Sequence, residues 1–260
     1  GCPFKCSFCQ HKEAGARLVN RQLSPCRIRD EIDLFCSNDV KDIAILDPIF
    51  NSTSLSIKIL QRFIDNKYSG RLSLQCRAEM VTEEFIQLVS KLDVRLEFGL
   101  QTIHNKEGKA VRRMNNIKKV DQVIKKVNKA GIDYEVSLIY GLPEQTLKSF
   151  YQTISWCLIR SVPVIKAFPL MLLRGTGVEQ EREKWGLIES EGSMPVVLQS
   201  DTFTYNDWHK MAQISEALKH TEGKHPSTIK GLKKISQVMQ VDHSRYRPDS
   251  SLINEHRNVA

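Results

Sequence analysis

Ala130-Gly131-Ile132-Asp133-Tyr134-Glu135-Val136-Ser137-Leu138-Ile139-Tyr140-Gly141-Leu142-Pro143 holds a helix end, a strand and a tight turn in succession. Gly131 closes an amphipathic run over residues 106–130, because glycine takes the left-handed conformation that stops a helix. Residues 134–140 form an apolar, β-branched run of strand length. On either side the alternation repeats. Strand-like runs fall at residues 43–46, 72–76, 94–98 and 164–168, with amphipathic segments at 55–66, 82–92 and 146–160. Residues 30–35 belong to a further helix before the first of these strands. Thr82 reads as an N-cap, with Glu83 and Glu84 at the positive end of the helix dipole. Repeated strand–helix units of this length predict an α/β fold, a parallel sheet covered by helices.

After Pro169 the alternation fades. Residues 178–185 read as helical, 189–195 as a surface turn, 196–204 as one more strand and 206–219 as a helix. Beyond His220 the sequence is polar and weakly periodic, with frayed ends expected. The chain thus divides into a core, residues 1–169, and a C-terminal extension, residues 170–260. With 260 residues, 41% of them hydrophobic, it is large enough for a real core. No apolar run approaches the roughly 20 residues that span a bilayer. The net charge of +8 is concentrated between Lys106 and Lys129. Such a run is either the solvated face of a helix or a phosphate-binding surface. No aromatic residues are interleaved with it to stack bases.

Of the seven cysteines, three lie in Gly1-Cys2-Pro3-Phe4-Lys5-Cys6-Ser7-Phe8-Cys9, a C-x3-C-x2-C spacing. Thiolates on one tight loop can ligate three corners of a cubane iron–sulfur cluster and leave the fourth iron open. The alternative is a zinc site of three cysteines with His11. Cys26, Cys36, Cys76 and Cys157 fall in helices and strands, where a buried free thiol is expected. Soft ligands in a chain without an export signal point to a reducing cytoplasm.

With Phe8 as the aromatic before the third cysteine, the loop resembles that of the radical S-adenosylmethionine (SAM) superfamily, and the resemblance extends over residues 1–168. It implies a partial (β/α)6 TIM-like barrel. Barrel chemistry sits on loops that follow strands, so a sixth strand is expected upstream of Gly1. It implies that Cys2, Cys6 and Cys9 hold a [4Fe–4S] cluster whose open iron is chelated by SAM. Reduction, by a partner such as flavodoxin or ferredoxin, would then yield a 5′-deoxyadenosyl radical. Asp47-Pro48 stands where many members grip the SAM amino group, although an Asp-Pro turn explains it equally. Glu97-Phe98-Gly99-Leu100-Gln101-Thr102 resembles an E-x-G-x-Q-S/T segment, which assigns Glu97 and Gln101 to the ribose and amino-acid portions of SAM. Arg112-Arg113-Met114-Asn115-Asn116 matches a stretch whose basic residue faces the SAM carboxylate, and Arg113 is taken for that role. Ser137 stands near a position where relatives often carry Asp, and Leu142 lies in the G-L-P-x-x-T turn near adenine. Residues 170–187 resemble a segment of cobalamin-associated members, which implies a cobalamin domain upstream.

Three functional readings result. The first is a radical SAM enzyme acting on a small metabolite, of methyltransferase type if cobalamin is involved. The second keeps the chemistry but takes RNA as substrate, as methylthiotransferases do. The third is a non-catalytic scaffold stabilised by zinc or a cluster. His104 and His209 are given no catalytic role.

Overall fold

The computed structural model describes residues 2–11 and 23–242. In chain order its elements are α1 (Pro25–Ser37), β1 (Asp42–Ile45), α2 (Leu55–Asp65), β2 (Arg71–Cys76), α3 (Glu83–Val89), β3 (Asp93–Gln101), α4 (Asn105–Ala110), α5 (Ile117–Ala130), β4 (Asp133–Tyr140), α6 (Leu147–Ile159), β5 (Val164–Pro169), α7 (Gly177–Gln180), β6 (Ile188–Glu189), β7 (Val197–Gln199), α8 (Tyr205–His220) and α9 (Ile229–Ser236). Strands β1 to β5 form one sheet in that spatial order, with every neighbouring pair parallel. The expected caps form: the Thr82 side chain accepts from the Phe85 N–H, and Gly131 ends α5 at φ 65°.

Because side chains alternate along a strand, the two faces of the sheet differ. In β3, Val94, Leu96, Phe98 and Leu100 are buried. They join Leu72, Leu74, Val136 and Leu138 in the apolar core, which the helix faces cover. Arg95, Glu97, Gly99 and Gln101 alternate with them onto the other face, where Gln75, Glu97 and Glu135 are in register, as are Gly99 and Ser137. Polar chemistry is therefore gathered on one side of the sheet.

Residues 106–130 are not one helix. They divide into α4 and α5 around a loop in which Arg112 has φ 53°. The cause is packing: a Cβ on Gly108 would lie 2.8 Å from the Arg113 carbonyl, so only glycine lets the loop fold back over α4. Two further expectations change. Cys26 is exposed rather than buried, because it lies in the first turn of α1, whose one fully buried residue is Ile32. Beyond His220 the chain forms α9, capped by Thr228 and anchored by the fully buried Leu232.

The segment after Pro169 shares the core of the sheet. The Leu170 N–H donates to the Tyr140 carbonyl at 2.8 Å, and the Val197 N–H to the Leu170 carbonyl at 2.8 Å. Strand β7 is only three residues long, because Ser200 turns the chain through its hydrogen bond to the Phe203 carbonyl. Helix α8 lies against β4, β5 and α6. Its Trp208 is fully buried, 5.9 Å from the Tyr140 ring and stacked on Tyr205. His225 closes the lower end of β5: its Nε2 accepts from the Ile165 N–H at 3.1 Å, while Nδ1 is 2.9 Å from the Thr221 hydroxyl. Burial pulls the His225 pKa below its ordinary value, as suits a ring nitrogen that must stay an acceptor.

Candidate functional site

The cysteine loop is short and apolar enough to be half-buried, and distant parts of the chain hold it. A turn forms between the second and third cysteines, with the Cys9 N–H donating to the Cys6 carbonyl at 3.2 Å. Ser7, between them, donates its N–H to the Val111 carbonyl and accepts the Val178 N–H, both at 2.9 Å. Gly177 packs against it so closely that a Cβ there would lie 3.1 Å from the Ser7 Cβ. Gln10 adds a hydrogen bond to the Arg174 carbonyl at 3.1 Å. The 170–187 segment, noted in the sequence for its resemblance, is thus one jaw of a clamp on this loop.

Above the loop lies a cavity of about 240 Å³ lined by Cys2, Cys6, Cys9 and Phe8 together with Glu97, Gln101, Arg113 and Ser137. The sheet positions the polar group. Glu97 and Gly99 project from the polar face of β3, and Ser137 sits beside Gly99 on β4. Gln101 ends the strand in the left-handed region, φ 66°, beside a register shift. That conformation costs a non-glycine residue about 1–2 kcal/mol and is held by its surroundings. Among the described residues, the side chains of Glu97, Gln101 and Ser137 make no hydrogen bond or ion pair, so each is available to a ligand.

Arg113 is buried and donates to the Gly99 carbonyl, while its Nε is buried without a partner among the described residues. Burial, reinforced by the charge of Arg77, pulls its pKa below the ordinary arginine range. A guanidinium so placed fits an anion. Arg112 instead points outward to pair with Glu181 at 2.7 Å, and Asn116 is spent capping α5 through the Lys119 N–H. Burial pushes the Cys6 thiol up, Arg113 and Arg77 oppose it, and Cys9 and Cys2 add to it.

Two expected residues lie outside this cavity. Asp47 is exposed, and Pro48 and Ile49 form the wall instead. The Asp-Pro turn directs the chain into a 3-10 turn whose Phe50 and Asn51 are buried. Leu142 is fully buried in the core, and its N–H faces the Gln145 side-chain oxygen at 3.3 Å. The G-L-P-x-x-T turn is thereby a structural knot. Gln145 also accepts from the Gly141 N–H at 2.7 Å and reaches Glu107, which the Thr102 hydroxyl joins. His104 is structural as well, its Nε2 lying 3.0 Å from the Ser149 carbonyl.

The sequence reading missed Phe4, Gln75, Cys76 and Arg77, which also line the cavity. Gln75, Cys76 and Arg77 stand at the C-terminal end of β2, where strand-end logic alone would have placed them. Cys76 belongs to the apolar core, and burial holds its thiol far above the ordinary range. It packs among apolar side chains of the sheet, apart from the loop that carries the other three thiols. His11 lines the cavity too, yet among the described residues no three His, Cys, Asp or Glu side chains gather as they would around one metal ion. A cluster distributes its thiolates over several irons, so three thiols facing one cavity beside two guanidinium groups fit that group better than a single zinc.

The lysines of α5 are exposed on its outer face, where Lys125 pairs with Asp121 at 2.7 Å and Lys126 with Glu83. Among the described residues no helix is long and apolar enough to cross a membrane.

Comparison with known proteins gives a consistent result. The family model of the radical SAM superfamily matches residues 1–157. An uncharacterized protein of Methanocaldococcus jannaschii is 24% identical over 114 residues, which is 42% of this chain and 35% of that protein. The cobalamin-dependent radical SAM methyltransferase TokK of Streptomyces tokunonensis is 28% identical over 162 residues, 58% of this chain and 23% of that one. The chain therefore spans about a third or less of the curated relatives it matches. Among solved structures, the radical SAM methyltransferase TsrM from Kitasatospora setae, with tryptophan substrate and a SAM analog bound, aligns with a TM-score of 0.68 at 15% identity, covering 99% of this chain and 61% of that one. At that identity the likeness establishes the fold, a partial (β/α) barrel.

Proposed function

The chain belongs to the radical SAM superfamily, and from that premise we propose that it is the cluster- and SAM-binding core of an enzyme that modifies a small organic substrate. Cys2, Cys6 and Cys9 hold a [4Fe–4S] cluster. Arg113 receives the SAM carboxylate, Glu97 and Gln101 accept and donate hydrogen bonds to its polar groups, and Ser137 with Phe8 completes the wall. When bound and reduced, the cluster supplies the electron that cleaves SAM. The residues of this chain position SAM, and Phe4, Phe8 and Ile49 supply the apolar part of the cavity wall. The observation that carries this reading is the convergence of three thiols, a buried guanidinium and three uncommitted polar side chains on one cavity.

The names of TokK and TsrM, with the resemblance of residues 170–187, favour the cobalamin-associated methyltransferase branch. Cobalamin would need a domain that the described residues do not form. The lysine-rich face of α5 carries ion pairs on the outside of the sheet rather than lining the cavity, which favours a small substrate over RNA. An oxygen-labile cluster needs a reducing compartment and a one-electron donor, which supports a cytoplasmic enzyme served by a flavodoxin or ferredoxin.

The test is anaerobic loading with iron and sulfide, then reduction in the presence of SAM. Formation of 5′-deoxyadenosine supports reductive cleavage, and S-adenosylhomocysteine with added cobalamin supports methyl transfer. A chain that takes up one zinc and no acid-labile sulfide refutes the proposal.

A further inference from the structure

Arg77 is the charged residue of the cavity that no motif accounts for. Its backbone is fastened on both sides by buried Asn51, which accepts the Arg77 N–H at 2.9 Å and donates to its carbonyl at 3.0 Å. Its guanidinium lies 4.0 Å from the centre of the Phe4 ring, within the cysteine loop. The same group donates to the Met114 carbonyl at 2.7 Å and to Glu79 at 3.3 Å, and Glu79 accepts the Asn116 N–H at 3.2 Å. One side chain thus touches the loop and the segment after Arg113, and is linked to the start of α5 through Glu79.

The two halves of the loop are held differently. Ser7 has backbone hydrogen bonds to distant segments, whereas among the described residues the backbone of residues 2–5 makes none. Among the described residues, the stacking of Phe4 under Arg77 is therefore what ties down the half that carries Cys2. With Arg113, Arg77 also brings a second guanidinium, itself ion-paired with Glu79 at 3.3 Å, to a cavity lined by three thiols.

We propose that Arg77 is a positioning residue for the cluster: it pins the Cys2 half of the loop through Phe4, and its fixed charge offsets the negative charge gathered there. The proposal rests on the reading of the loop as a cluster site. Removing the cation disfavours the reduced, more negative state, while removing only the stack leaves that balance intact.

The experiment loads the full chain, wild type and the variants Arg77→Met, Arg77→Lys and Phe4→Leu, with iron and sulfide. It measures cluster retention against a chelator and the midpoint potential by spectroscopically monitored reductive titration, neither of which requires turnover. Phe4→Leu and Arg77→Lys should lose cluster several-fold faster than wild type at an unshifted potential. Arg77→Met should lose it as fast and be harder to reduce by about tenfold in equilibrium constant, which is ~59 mV for one electron. An unshifted potential in Arg77→Met overturns the proposal, as does wild-type retention in both Phe4→Leu and Arg77→Lys. Those two variants decide the matter if Arg77→Met does not fold. A wild-type chain that takes up no cluster sinks the parent reading and this one with it. A wild-type chain that loads normally beside indistinguishable variants sinks this one alone.

Discussion

Replacing Gly177 tests whether the segment after β5 holds the cysteine loop in place. A Cβ at this position would meet the Ser7 Cβ at 3.1 Å, its Cα at 3.5 Å and its carbonyl oxygen at 3.6 Å. The optimum for carbon pairs is about 3.5–4.0 Å, so alanine forces a shift of a few tenths of an ångström and valine a larger one. Overpacking of this kind costs about 1–3 kcal/mol. The loop is tied at Ser7 by hydrogen bonds to Val111 and from Val178, each worth about 1 kcal/mol. The strain matches the ties, so the loop yields before the sheet does. We expect Gly177→Ala to speed cluster loss to a chelator about 5-fold and Gly177→Val about 30-fold, at about 1.4 kcal/mol per tenfold. Cluster absorbance under anaerobic chelation gives the rate, and a melting curve of the apo chain checks the sheet. Wild-type retention in Gly177→Val would refute the clamp, as would a large fall in melting temperature with retention unchanged.

Other substitutions separate structural from ligand-holding groups. Cys6→Ala should abolish cluster uptake, while Cys76→Ala should leave iron and sulfide content unchanged; equal loss in both would mean that the core thiol is a ligand after all. Glu107→Ala takes away the acceptor of the Thr102 hydroxyl and one of the two acceptors of the Gln145 amide in a buried site and should cost about 1–3 kcal/mol in urea denaturation. Trp208→Ala empties a fully buried site and should cost about 3–5 kcal/mol by the same measurement. The pKa of His225 is depressed in the folded chain. Between its depressed and ordinary values the unfolded chain therefore binds the extra proton, and stability falls as pH drops below about 6.5. Melting temperatures should decline from pH 7.5 to 5.5, and less steeply in His225→Asn; identical slopes would remove His225 from the account.

The five strands and the caps at Thr82 and Gly131 were legible because they rest on local periodicity and chain chemistry. Leu96 and Phe98 announce a strand whatever lies beside them. What escaped was set by contacts between distant residues. The excursion that turns Arg113 inward depends on Gly108 meeting a carbonyl five residues on, and helical periodicity runs straight across it. Leu142 sits in a recognisable turn, but the turn is committed to Gln145 and Glu107. Arg77 carries no motif at all, and its place is fixed by Asn51, Phe4 and Met114 from separate parts of the chain. Helix α9 is short and lysine-rich, and its one deeply buried residue gives too little apolar signal to read.

The hydrogen bond from Val178 to Ser7 also sets an order of events during biosynthesis. The loop emerges from the ribosome before the segment that clamps it, and one of the two distant backbone partners of Ser7 is encoded about 170 residues later. At about 5–20 residues per second, roughly 10–30 s pass before that partner exists. Until then the three thiols belong to an unclamped nascent segment, open to oxidation or to adventitious metals. The clamp on a cluster held by this loop is accordingly completed only once Val178 has been synthesised.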